Sequence, residues 1–377
     1  MLTVFTTDKW DKNFFDTFVA FRNEVHKDII TSFPETLEDY SKYFHPTSVF
    51  TADFGWQAFK VMDGSKILAQ AILCWRHDGS VANLGFIDWL NHKAAAKCLA
   101  DAIIAFARSK KITSIKTPVD MNFFIKYRIR LPGGESPFYG EPVYPDYYHD
   151  LFKLTRFKTI GEWDTYRVNR LTATKDFFAK RKKLSKKNDG GHSLSSDPKL
   201  KTTIRGIRMS EWDKELKIIY DLFSEAYKIM PEYEPITYPQ FKIIYEDFKY
   251  IIQPWLSYIV ELQGKPVAFS INFVDPLPIL AKVKGKKLNA LQKAIVFAKL
   301  RANLGTFMIA HVGKIQGPNG EDIKGVQAQV SRKIAFYSVF MRKVIVSFQN
   351  VDSPSRRAWN AEVRKPYAQY VLYGMDL

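Results

Sequence analysis

One order of elements is written twice along this chain, and that repeat limits the folds open to it. In the second half Ser210 is placed to cap a helix with Glu211 and Asp213 in its first turn, and Leu216, Ile219, Tyr220, Phe223 and Tyr227 follow at helical spacing. A second helix is expected from about Thr237 to Lys249. Leu256–Leu262 and Pro266–Phe273 read as a β-hairpin across Gln263-Gly264-Lys265, with Gly264 supplying the positive φ of a tight turn. Thr306–Val312 then reads as a buried strand, Gly325–Arg342 as a helix and Lys343–Gln349 as a strand. Ser353-Pro354 opens a short helix to about Val363, and Tyr367–Tyr373 is a closing strand. The first half repeats the order. It has a hairpin across Asp63-Gly64, a strand Val81–Leu90, an Ala-rich helix Lys93–Ser109, a strand Ser114–Pro118, a helix Pro145–Thr155 and a strand Thr159–Val168. Such a repeat implies duplicated domains rather than a solenoid, each with a right-handed strand–helix–strand crossover.

A length of 377 residues suits two domains, and 46% hydrophobic with 25% charged residues is globular composition. The expected boundaries are a first domain over 1–169, a basic linker over 170–203 and a second domain over 204–377. The linker holds Lys180–Lys187, the end of a short amphipathic helix (Thr174–Leu184), and the turn-rich Asn188–Pro198. No run of 18 apolar residues is present, and the segment Met1–Lys9 lacks the pattern of a signal peptide, so a cytoplasmic location is expected. Cys74 and Cys98 show no zinc or disulfide spacing and read as reduced core residues. A net charge of +17 favours an anionic partner: nucleic acid, anionic lipid, an acidic carrier protein or a polyphosphate ligand.

The element order resembles the GNAT superfamily of acyl-CoA N-acyltransferases, and more narrowly the bacterial tandem-GNAT proteins. Asp352-Ser353-Pro354-Ser355-Arg356-Arg357-Ala358, followed by Tyr367, Tyr370 and Tyr373, resembles the family's post-strand Asn-x-Pro, helix and tyrosine strand, with Asp352 where Asn is usual. Phe138-Tyr139-Gly140 to Tyr148 resembles its Tyr-Asn-Pro-Pro-Tyr-Tyr segment, and Leu151–Phe157 its Leu-Tyr-x-x-x-Gly-Phe helix end. The resemblance implies an α/β (α+β) fold of two tandem GNAT-like domains. Each would be a mixed, largely antiparallel sheet with a central parallel, splayed strand pair flanked by helices.

In such a domain the pantetheine arm lies where the two parallel strands part, and the pyrophosphate rests on the loop opening the next helix. Lys324-Gly325-Val326-x-Ala328 resembles the end of the family's Arg-Gly-x-Gly-Ile-x-Ala loop, although Asp322 and Ile323 stand where Arg and Gly are preferred. The resemblance therefore places the acyl-CoA contacts at Val312, Gly313, Lys324, Gly325, Val326, Ala328 and Asp352. Backbone N–H groups near His311–Gly313 would stabilise the oxyanion, and His311 would be the base. The family's proton-donating Tyr is replaced by Trp359 and, in the first half, Phe152, which leaves Tyr367 or Tyr370 as donor. Glu261 and Asp275 are further carboxylates near the site.

The first half has no glycine at Asn91-His92-Lys93-Ala94, so its domain is expected to be a non-catalytic support. The co-substrate would be acetyl-CoA or a longer acyl-CoA, with an amine acceptor and no metal. Other readings are acyl transfer from an acyl carrier protein to an amino acid, an aminoacyl-tRNA-dependent ligase, and an inactive binding protein. The inserted basic-apolar run Lys282–Leu304 suits an acyl chain, a carrier protein, peripheral membrane contact, or packing on its own domain. Walker, His-Glu-x-x-His and Gly-x-Ser-x-Gly patterns are absent.

Overall fold

A computed structural model describes residues 1–168, 202–230, 232–316, 341, 343–350 and 365–377. The chain divides into two compact units. The first comprises Met1–Trp163, Ala281–Lys287 and Ala368–Leu377; the second comprises Asp164–Leu280 and Leu288–Tyr367. The linker and the helices expected at 325–342 and 354–363 lie outside the described residues.

The first unit runs β1 (Leu2–Thr7), α1 (Lys12–Val25), α2 (Leu37–Phe44), β2 (Phe54–Asp63), β3 (Lys66–Arg76), β4 (Val81–Trp89), α3 (Lys93–Ser109) and β5 (Ser114–Thr117). The short strands β6 (Val119–Asp120), β7 (Lys126–Tyr127) and β8 (Ile129–Arg130) follow, then α4 (Tyr148–Leu154) and β9 (Lys158–Val168), whose last residues belong to the second unit. Strands β1 to β4 form an antiparallel meander and β5 joins β4 in parallel. Asp11 caps α1 by accepting the Phe14 N–H at 2.6 Å, and Thr36 with Asp39 forms a capping box on α2. Helix α3 buries Ala95, Ala96, Leu99, Ile103 and Ala107, small side chains alternating with large ones, so it lies close to the meander. The next sheet partner of β5 comes from the far end of the sequence. Residues 368–376 pair antiparallel with β5 (Tyr373↔Thr117) and with β8 (Tyr370↔Arg130). The closing strand, read from sequence as part of the second domain, thus completes the sheet of the first unit. Phe152 stacks on Tyr373 at 4.8 Å, and the His149 Nδ1 lies 2.9 Å from the Tyr373 hydroxyl. Cys74 is buried and Cys98 half-buried, and the two are not joined in a disulfide.

The second unit runs β10 (Thr202–Gly206), α5 (Trp212–Tyr227), α6 (Tyr238–Tyr245), β11 (Tyr258–Leu262), β12 (Lys265–Val274), the short α7 (Leu277–Leu280), α8 (Ala290–Arg301), β13 (Thr306–Lys314) and β14 (Lys343–Asn350). Strands β10 to β13 are antiparallel and β14 joins β13 in parallel. The α5 stripe Leu216, Ile219 and Phe223 is buried against β12, where Phe223 stacks on Phe269 at 5.5 Å. Arg205 on β10 donates to Glu215 on α5 (2.8 Å) and to Glu261 on β11 (2.6 Å), a small ion network fixing helix to sheet. Glu261 is therefore engaged structurally. So is Asp275, whose carboxylate accepts the Leu277 N–H at 3.0 Å.

Candidate functional site

The parallel ladder of β13 and β14 begins at Thr306↔Lys343 and stops at Ile309↔Val346, although both strands continue. At the same level the β12–β13 register jumps from Ile271↔His311 to Asn272↔Ile309, leaving Ala310 as an extra residue. That bulge bends β13. On β14 the Ser347 hydroxyl donates to the Ile309 carbonyl at 3.0 Å, the last cross-link before the strands part. Phe348 then takes φ +52°, and its N–H donates to the Thr165 hydroxyl at 3.2 Å. A bulky residue rarely holds positive φ, so this kink is imposed by its surroundings. The sequence elements thus produce a strand pair that separates just beyond a bulge.

His311 is the first residue after the bulge. It is half-buried, with its ring edge-on to Phe223 at 5.0 Å and 6.5 Å from Tyr227. It also lines a cavity of about 20 Å³ together with Trp212, Leu216, Ile219, Phe223 and Ile271. That is room for one water molecule, and the other named walls are apolar or aromatic. The indole N–H of Trp212 is buried there without a partner. Val312 follows, its carbonyl 3.5 Å from the Tyr227 hydroxyl. Gly313 has a packing reason to be glycine: a Cβ there would lie 2.5 Å from Phe269 Cε1 and 3.0 Å from the Ala226 Cβ.

Of the other expected site residues, Tyr367 is buried in the second unit, its N–H donating to the Thr165 carbonyl at 2.7 Å. Tyr370 belongs to the first unit, where its hydroxyl donates to Glu141, itself 3.0 Å from Arg130. Its O–H is spoken for within that unit, and it does not join His311 in a common one. Lys324, Gly325, Val326, Ala328 and Asp352 lie outside the described residues. Tyr227 was visible in the sequence only as part of a helical stripe. Its approach to Val312 follows from the close packing of α5 over Gly313.

The equivalent place in the first unit is filled. Strands β4 and β5 pair from Val81↔Ser114 to Asn83↔Lys116, and the β3–β4 register shifts between Gln70↔Asp88 and Ile72↔Gly85. The chain beyond β5 presses into the position where a gap would open. A Cβ on Gly85 would overlap the backbone of Val119 and Asp120, and the Asn83 amide donates to the Met121 carbonyl at 3.0 Å. The Asp120 carboxylate accepts the N–H of Phe86, a residue held at φ +48°, at 2.6 Å. The backbone donor beside this bulge is therefore already occupied.

Behind that plug lies a cluster of buried ionisable side chains that sequence reading missed. His26 Nε2 is 2.9 Å from Asp88 Oδ1, and Gln70 donates to Asp88 Oδ2 at 2.8 Å. Arg22 pairs with Glu35 at 2.8 Å. Burial holds the His26 imidazole below its usual range, partly offset by Asp88, and burial likewise lowers the Lys126 ammonium and raises the Asp120 carboxyl. The buried atoms Arg22 Nη1, His26 Nδ1, Tyr40 Oη and Gln70 Oε1 have no protein partner. A usable signal existed in α1. Phe15, Phe18, Val19, Arg22 and His26 form one helical stripe whose last two positions are polar.

No known protein-family profile matches the chain. Protein YghO of Escherichia coli strain K12 is 20% identical over 286 residues, covering 73% of this chain and 69% of that protein. Among solved structures, a conserved protein of unknown function from Enterococcus faecalis V583, described as a probable N-acyltransferase, superposes with a TM-score of 0.53. The alignment has 9% identity and covers 99% of this chain and 73% of that one. A tandem GNAT protein from the clavulanic acid biosynthesis pathway covers 100% of this chain and 98% of its own length at 10% identity, with a TM-score of 0.48. The chain shares the fold of the Enterococcus faecalis protein.

Proposed function

We propose that this two-unit GNAT-fold chain is an N-acyltransferase that moves an acyl group from acyl-CoA to an amine in its second unit. The observation that carries the reading is the parting of β13 and β14 at a bulge, with His311 immediately beyond it. The thioester would enter the gap against the backbone of Val312 and Gly313, and the expected phosphate loop, Lys324 to Ala328, with Asp352, would hold the nucleotide end. His311 accepts the proton of the attacking amine as the new C–N bond forms. The C–S bond then breaks and CoA leaves as a thiolate. Tyr227, whose O–H reaches the carbonyl of Val312, is the phenol we assign to protonate it. The cavity behind His311 holds no more than one water molecule, so it backs the imidazole rather than receiving the acyl group or the acceptor. The first unit, with its own gap plugged, serves as support. Such a reaction belongs in the cytoplasm, where acyl-CoA is made.

Thermal stability with acetyl-, octanoyl- and palmitoyl-CoA beside free CoA is the primary test. A ligand at about 100 times its dissociation constant adds roughly 2.7 kcal/mol. A shift that requires the acyl group supports the proposal, and no shift with any CoA species sinks it in favour of a carrier-protein or tRNA donor or an inactive binding protein. With an acceptor in hand, His311→Ala is expected to lower kcat by about 10²-fold or more. His26→Gln should leave turnover near normal. A folded His26→Gln protein without activity would move the centre to the first unit and overturn this assignment.

A further inference from the structure

Helix α8 is anchored firmly at one end and uncovered along its length. Asn289 and Gln292 form a capping box at its start. At its end the Arg301 guanidinium donates to the carbonyls of Ile252 (2.6 Å) and Lys249 (2.7 Å), and the Gln253 amide donates to the Leu300 carbonyl at 3.0 Å. Leu300 is its one buried residue. Leu291, Ala294, Ile295 and Ala298 recur at i, i+3, i+4 and i+7, the spacing that normally turns a stripe toward a core. Here all four are exposed, Leu291 at 71% and Ile295 at 45%. Phe297 is also 40% exposed and packs its ring near Tyr250, itself 49% exposed.

The charge around this stripe has one sign. From Lys282 to Arg301 every charged residue is Lys or Arg. Rotation of 100° per residue puts the exposed Lys299 on one flank of the stripe, while Arg301 on the other flank is tied to the carbonyls of Ile252 and Lys249. Aliphatic side chains with no polar group among them offer no fixed register to a protein partner. They suit a surface that needs none, with acyl chains below and anionic headgroups at the flanks.

We propose that α8 seats this protein on the surface of an anionic bilayer, with the Leu291–Ile295 stripe entering the headgroup boundary. The inference rests on the helix alone and stands whether or not acyl transfer occurs at His311.

The test is cosedimentation of the full chain with vesicles of phosphatidylcholine alone or with about a third phosphatidylglycerol, from roughly 0.1 M to 0.5 M salt. Binding to the anionic vesicles is expected, weakening with salt. The double variant Leu291→Ser/Ile295→Ser should reduce partitioning by about 10-fold while leaving the thermal midpoint unchanged, because both residues are already exposed. Lys293→Gln/Lys299→Gln should weaken it with a shallower salt dependence. The proposal is overturned if neither vesicle binds. It is equally overturned if the Leu291/Ile295 variant binds like the parent, since the basic run Lys180–Lys187 would then suffice. A purified acidic acyl carrier protein that binds through α8 while vesicles do not would reassign the surface to a protein partner.

Discussion

At the scale of residues, the plug in the first unit depends on a contact that no other amino acid permits. Gly85 meets backbone rather than a movable side chain, so Gly85→Ala is expected to cost about 3 kcal/mol or more, at or beyond the usual overpacking range. Gly64→Ala, in open space at φ +57°, should cost only about 1–2 kcal/mol. Urea unfolding of the two variants side by side checks the contrast. The buried His26 predicts an acid limb. Its native pKa lies below the usual value, so the unfolded chain takes up the proton first as pH falls. The stability it contributes is complete above about pH 6.5 and drains away below that value. His26→Gln should flatten the fall in urea midpoint between about pH 6.5 and 5, and an unchanged acid limb would show that other groups set it. Little of this was legible beforehand. Arg22 and His26 sat in an aromatic stripe, Gln70 and Asp88 in apolar strands, and only the folded sheet brings helix and strands together. His311 was expected on the strand where the family resemblance implied a splay, and it stands immediately beyond the bulge of β13.

At the scale of elements, punctuation carried most of the reading. The helix expected over Lys93–Ser109 forms over those residues, and the hairpins at Asp63-Gly64 and Gln263-Gly264 turn where glycine holds positive φ. Strand partners were harder to foresee, because alternation says that a segment is a strand and not which edge it joins. The strand Ala368–Asp376 shows this: it follows the second repeat in sequence and pairs in the first unit. Removing residues 366–377 should therefore injure the distant half of the chain. Strand β5 loses its antiparallel partner, Glu141 loses the Tyr370 hydroxyl and His149 that of Tyr373. Hydrogen exchange is expected to show protection lost across β5 and α4 while β11 to β13 keep theirs. Equal protection throughout would mean that β5 tolerates an open edge. The short strands β6 to β8 were invisible to pattern reading, since two-residue pairings leave no periodicity.

At the scale of the whole molecule, the repeat implied two similar units, and the chain divides into two compact units, each with an antiparallel run of strands closed by a parallel neighbour. They differ in what became of the gap between the parallel strands. The first closes it with its own chain at Asp120, and the second leaves the strands apart beyond Ile309. The charge of +17 had no address in the sequence alone. Under the bilayer proposal, the basic residues of helix α8 give part of that charge a role beside its exposed apolar stripe.

The borrowed strand also dictates a schedule for synthesis. Residues 1–163 leave the ribosome with their sheet one strand short, and that strand, residues 368–376, is still about 200 codons away. At about 5–20 residues per second the nascent first unit must wait roughly 10–40 s with β5 paired to β4 alone and its other edge open. For that interval it presents an incomplete sheet to whatever chaperone or neighbouring chain it meets, so its folding is coupled to the synthesis of residues 368–376 rather than to its own emergence.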